Sequence, residues 1–133
     1  MIDKIIEVNA TYIFLKDDER IKSTPENLTE IIKQSQQKYS LYESMWEETR
    51  EIVDEYEIKL RKMPRYTKEE IAKTKNCMDR INFELTNQYY HEAVHQWCGM
   101  GVILSIFANR IDHWRKIQYQ AKRALEQIGG ESK

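Results

Sequence analysis

The feature that most constrains the fold is an unbroken 4-3 repeat of apolar residues. It runs Leu28, Ile32, Ser35, Tyr39, Tyr42, Trp46, Thr49, Val53, Tyr56, Leu60 and Met63. Nine of these eleven are apolar or aromatic, and the other two are small. A strict 3.5-residue period over about five heptads predicts a long helix with a narrow, coiled-coil-like seam. Its limits are written locally. In "STPENLTE", Thr24 is placed to cap, Pro25 to occupy the first helical position and Glu26 to meet the helix dipole. Pro64 ends the run. Such a helix is about 60 Å long, more than a chain of this size covers with itself. The seam at Tyr39, Tyr42, Trp46, Val53, Tyr56 and Leu60 is therefore expected to pair partly within the chain and partly with another copy.

Beyond Pro64, Thr67-Lys68-Glu69-Glu70 reads as a capping box. Ile71, Thr74, Met78, Ile81, Leu85, Tyr89, Ala93 and Trp97 follow at helical spacing, and Gly99 and Gly101 are expected to break or turn the chain. A last helix carries Val102, Ile103, Ile106, Phe107, Ile111, Trp114, Ile117, Ala121 and Leu125, with Gly129-Gly130 as its stop. The expected fold class is all-α: a long-helix hairpin or bundle with a heptad stem, oligomeric. Residues 1–22 form an N-terminal arm that pattern alone leaves open between strand and helix, and residues 23–133 a single helical domain. Four Gly and two Pro in 133 residues fit long helices rather than many short strands. No apolar run is long enough to span a membrane, and "MIDKIIEV" has no signal-peptide form. The expected location is a reducing cytoplasm, that of the host cell if the protein is viral. Cys77 and Cys98, about 30 Å apart on one helix, cannot pair with each other.

A net charge of −1 conceals a polar distribution. Residues 17–57 hold 12 Asp/Glu against 5 Lys/Arg, whereas residues 59–75 hold 7 Lys/Arg against Glu69 and Glu70. A second basic cluster comprises Arg110, Arg115, Lys116, Lys122 and Arg123. Basic clusters are either solvated helix faces or phosphate contacts. The phosphate reading selects Lys59, Arg61, Lys62 and Arg65, with Tyr66 as a stacking face for an unpaired base or as packing over the turn. Arg115 and Lys116 are secondary contacts.

His91-Glu92-Ala93-Val94-His95 spells H-E-x-x-H, in which two histidines one turn apart bind zinc and the glutamate acts as base. A third ligand is missing. If the chain reverses at Gly99–Gly101, His113 is displaced about 12 Å along the axis; if the helix runs on, it is about 27 Å away. Glu92 also sits near the centre of the apolar stripe, with the histidines on its flank. The motif is read as a chance match, and no metal or cofactor is assigned.

The stretch "KYSLYESMWEE", the helix end Lys59-Leu60-Arg61, the break before Arg65-Tyr66-Thr67-Lys68, Gln88-Tyr89, Cys98 and the closing Gly129-Gly130 resemble the phage recombination-mediator family named UvsY. The likeness spans residues 25–130 in layout. It implies a small helical multimer that binds single-stranded DNA and helps load a RecA-like recombinase onto strands coated with single-strand-binding protein. It assigns the family's DNA-binding K-x-R pair to Lys59 and Arg61. The N-terminal segment, the acidic stem and the HEAVH motif depart from that pattern. Without the DNA role, the same features describe a helical protein–protein module, such as a phage inhibitor whose acidic stem meets a basic partner.

Overall fold

The computed structural model describes residues 2–131. A 3-10 turn, Ile2–Lys4, leads into strands β1 (Ile5–Val8), β2 (Tyr12–Leu15) and β3 (Arg20–Lys22). Helices α1 (Pro25–Lys62), α2 (Lys68–Lys73) and α3 (Cys77–Glu131) follow. The chain is mostly helical, as its composition predicts, but an all-α reading omits the small antiparallel sheet, ordered β1-β2-β3. No helix among the described residues is long and apolar enough to cross a membrane. The chain divides into two units: residues 1–46 with 106–133, and residues 47–105.

In the first unit the sheet packs against the early part of α1 and the late part of α3. Its core joins Ile5, Val8, Ile13 and Leu15 of the strands to Leu28 and Ile31 of α1 and Trp114 and Ile117 of α3. Strands β1 and β2 thus each contribute two side chains to the core. A bulge between Ile5 and Glu7 explains why β1 hides its meaning in the sequence. Strand side chains normally alternate faces, but the extra residue puts Ile5 and Val8, three apart, both inward and leaves Ile6 out at 50% exposure. Ala121 and Ala124, almost fully buried, keep the helix surface low in this core, and the Val8 amide donates to Gln120 Oε1 at 2.9 Å.

Both strand connections are set by polar side chains. Asn9 Oδ1 accepts the amides of Thr11 and Tyr12, each at 2.8 Å. Asp17 and Asp18 turn β2 into β3 with φ of 64° and 59°, a left-handed geometry tolerated by Asp and natural to Gly. Asp18→Gly is expected to raise stability by about 0.5 kcal/mol in a urea melt. A loss would mean the carboxylate does more at the turn than occupy it.

α1 begins where its sequence predicts: the Asn27 amide donates to Thr24 Oγ1 at 3.1 Å. Every position of its 4-3 repeat is buried or half-buried within this one chain, from Leu28 at 0% exposure to Met63. In the first unit Tyr42 meets Phe107 with ring centroids 6.1 Å apart, and Gln118 donates to Gln36 at 2.8 Å. In the second, the Tyr56 hydroxyl donates to Gln96 at 2.8 Å. The whole seam, including the part expected to meet another copy, is at least partly covered by the chain's own residues.

α3 departs from its predicted form. It runs unbroken through Gly99, Gly101, Gly129 and Gly130 to Glu131, so the first pair does not turn the chain and the second does not end the helix. Each interior glycine costs about 1 kcal/mol relative to alanine, too little to break a helix held along its length by side-chain burial. The helix also starts later than the capping box suggests. Thr67 does cap, accepting the Glu70 amide at 3.1 Å, but α2 lasts only six residues. Asn76 Oδ1 then caps α3 through the amides of Met78 and Asp79. The Arg80 guanidinium takes the Thr74 carbonyl at 2.9 Å, satisfying an acceptor left by the end of α2.

Candidate nucleic-acid interface

The second unit carries the basic turn. Met63 to Thr67 link α1 to α2, and α3 supplies the surface on which that link rests. Asn87 clamps the backbone of Tyr66 from both sides: its Oδ1 accepts the Tyr66 amide at 2.8 Å, and its Nδ2 donates to the Tyr66 carbonyl at 2.9 Å. The Tyr66 ring stacks on Phe83 at 4.1 Å between centroids. Packing over the turn therefore occupies one face of Tyr66. Arg65 lies over the Tyr90 ring, 4.9 Å from its centroid, and donates to the Tyr90 hydroxyl at 2.7 Å. A guanidinium stacked in this way is held in place while its remaining N–H groups stay available.

These contacts order one wall of a cleft of about 210 Å³, lined by Glu57, Leu60, Arg61, Arg65, Tyr90 and Trp97 among others. Arg61 reaches it from the last turn of α1, paired with Glu57 at 3.0 Å. Trp97 brings an indole N–H that is buried and has no acceptor among the described residues. A buried donor without a partner is costly in an empty site and favourable once an acceptor arrives. Lys59 and Lys62 are exposed beside this cleft on the same helix turn and make no ion pair among the described residues. The turn therefore gathers four of the predicted phosphate contacts, Lys59, Arg61, Lys62 and Arg65, onto one short span of chain.

The predicted secondary contacts are not equivalent. Arg115 is paired with Glu43 of the acidic stem and lies over the Tyr39 ring at 5.6 Å. Lys116 is exposed and lines a different cleft, in the first unit. The HEAVH residues remain on the surface of α3. His91, Glu92 and His95 are all exposed, and Glu92 meets Gln88 at 3.5 Å. Among the described residues no three His, Cys, Asp or Glu side chains converge on a metal-sized site.

Sequence reasoning missed Asn87 and Tyr90 because the first half of its expected α3 stripe lay on the wrong face; it placed Ala93 and Trp97 on the covered side but gave Trp97 no part in the interface. The helix bears two apolar stripes. The covered one is Phe83, Thr86, Tyr90, Ala93, Trp97 and Met100, itself a 3-4 repeat. The stripe expected to be covered, through Met78, Ile81, Leu85 and Tyr89, is exposed, with Met78 at 66% and Tyr89 at 62%. Val102 and Ile103 extend that exposed apolar surface. The usable signal was Phe83-Tyr90-Trp97, three aromatics seven apart.

No protein family, curated protein or solved structure matches this chain.

Proposed function

We propose that the protein is a non-enzymatic mediator of recombination that binds single-stranded DNA at the basic turn. One observation carries this reading: Arg61 and Arg65 line one cleft together with Trp97, whose buried indole N–H has no acceptor among the described residues, and Lys59 and Lys62 stand beside it. Guanidinium groups are donors only, and the one carboxylate in the described lining, Glu57, is taken up by Arg61, so the site suits a phosphate oxygen better than a cation or an apolar ligand. The acidic stem lies earlier on α1 and confines the attraction to this turn. The likeness to the phage mediator family supplies the partners: a RecA-like recombinase or a single-strand-binding protein, in the cytoplasm of a host cell.

A single turn offers few phosphate contacts, and repetition in an oligomer would multiply them. Support for assembly comes from the exposed stripe of α3, Met78, Ile81, Leu85 and Tyr89 with Val102 and Ile103, since the seam of α1 is already covered. The same stripe favours a second reading, a protein–protein module without DNA binding.

Fluorescence anisotropy with an oligothymidylate, titrated with NaCl, separates the two. Contacts to about three phosphates predict a log–log slope near −2. Trp97→Phe removes the donor while keeping most of the ring, and is expected to weaken DNA binding about tenfold. It should leave the free protein as stable as before or slightly more so, because an unpaired buried N–H is gone. Absent or salt-insensitive binding would reject the DNA reading in favour of the module.

A further inference from the structure

We propose that a second cleft, confined to the first unit and sharing no residue with the basic turn, binds a phosphate monoester. The cleft has a volume of about 610 Å³ and opens between β1, the end of β2 and α3. Lys16 approaches from the sheet side, and Arg110 and Lys116 from α3, which also supplies Asn109 and His113. Asp3 is the one carboxylate in its lining, and it is engaged elsewhere: Lys38 bonds to it at 2.9 Å. That bond holds the Asp3 carboxyl below its usual range. Lys16 and Lys116 make no ion pair among the described residues. The cleft therefore sets three cations, Lys16, Arg110 and Lys116, against one carboxylate, Asp3, which Lys38 already engages and which also feels Lys16.

His113 lies within reach of two of these cations. Burial lowers its pKa, and the nearby amines of Lys116 and Lys16 lower it further, against a hydrogen bond to the Ile5 carbonyl that raises it. The groups facing it are Asp3 and Lys16 from the sheet side, Tyr42 from α1, and Arg110 and Lys116 from α3. A dianion placed among these cations would reverse the sign of the local field and draw a proton onto the imidazole. A carboxylate, with one charge and two oxygens, leaves part of this set unmet; a phosphate monoester has the charge and the acceptors to engage it.

The remaining wall suits an organic group attached to the phosphate. Ile5 and Trp114 back the cleft, and the β1 bulge places Ile6 at its edge, half exposed. Its volume falls in the range of small-molecule sites and far exceeds one phosphate ion. Two sources share this chemistry: a free nucleotide or other small phosphate ester, and the terminal phosphate of a nucleic-acid strand.

The test follows the His113 imidazole by nuclear magnetic resonance in the full chain. The probes are inorganic phosphate, deoxythymidine monophosphate, and matched oligothymidylates with a 5′-phosphate or a 5′-hydroxyl. Binding is expected to raise the His113 pKa, with the nucleotide tighter than inorganic phosphate. Lys16→Ala and Lys116→Ala, both at exposed positions, should each weaken it about tenfold, and Lys122→Ala, outside the cleft, should not. A preference for the 5′-phosphorylated strand over the nucleotide identifies a strand-end site; tighter nucleotide binding identifies a free ester. Either supports the proposal. It is overturned if His113 does not respond to any probe up to about 10 mM, or if Lys122→Ala weakens binding as much as the two cleft substitutions.

Discussion

Ile117→Ala is expected to destabilise the protein by about 2–5 kcal/mol, measured as a lowered urea midpoint with an unchanged slope. Ile117 has no exposed surface and belongs to the cluster that joins the sheet to α1 and α3. Truncation removes three carbons' worth of burial and leaves a cavity, because neighbours on three different elements cannot all move inward together. The range is a large part of the 5–15 kcal/mol typical of a whole domain. Leu85→Ala is the matching control. Leu85 has the same α3 periodicity and similar hydrophobicity, but it is 42% exposed and should change stability by less than about 1 kcal/mol. Equal losses at the two positions would mean that both apolar stripes of α3 are buried in solution.

That pair of substitutions also marks where the sequence was legible. α1 could be read almost completely because one pattern had one meaning. A single apolar seam, Thr24 and Pro25 at its start and Pro64 after its end left no competing face, and every seam position proved at least half covered. α3 carries two stripes, and periodicity assigns a helix to both without saying which one α1 covers. The choice is made by tertiary contacts such as Tyr66 on Phe83 and Tyr56 with Gln96, which no local signal encodes. Gly99 and Gly101 misled because glycine was weighed as a breaker, whereas burial of the covered face before and after them outweighs their cost. The sheet was illegible for a different reason: strands of three and four residues, one bulged at Ile6 and two joined by aspartates at positive φ, present almost no alternation to detect.

The candidate interface was legible in its charges and not in its shape. Lys59, Arg61, Lys62 and Arg65 stand out in a chain with an acidic stem; the cleft, the Asn87 clamp and the Trp97 donor need the fold. The difference gives the second large prediction. Two double substitutions remove the same charge: Lys59→Gln with Lys62→Gln, and Arg61→Gln with Arg65→Gln. If DNA were held only by the diffuse field of the turn, the two would weaken binding equally and reduce the salt slope equally. The geometry instead makes the arginines worth more. They line the cleft beside the buried indole, and Arg65 is held over Tyr90, so each can donate more than one oriented hydrogen bond. The arginine pair is expected to lower affinity about 100-fold or more, and the lysine pair about tenfold. Circular dichroism must accompany both, because Arg61 also pairs with Glu57 and favourably ends α1, contributions of about 0.3–1 kcal/mol. Reversal of Lys59 and Lys62 to Glu adds a further check. These side chains make no ion pair among the described residues, so their reversal should repel DNA without disturbing the turn. Full affinity in the arginine double variant, with its helix content intact, would remove the cleft from the binding mechanism.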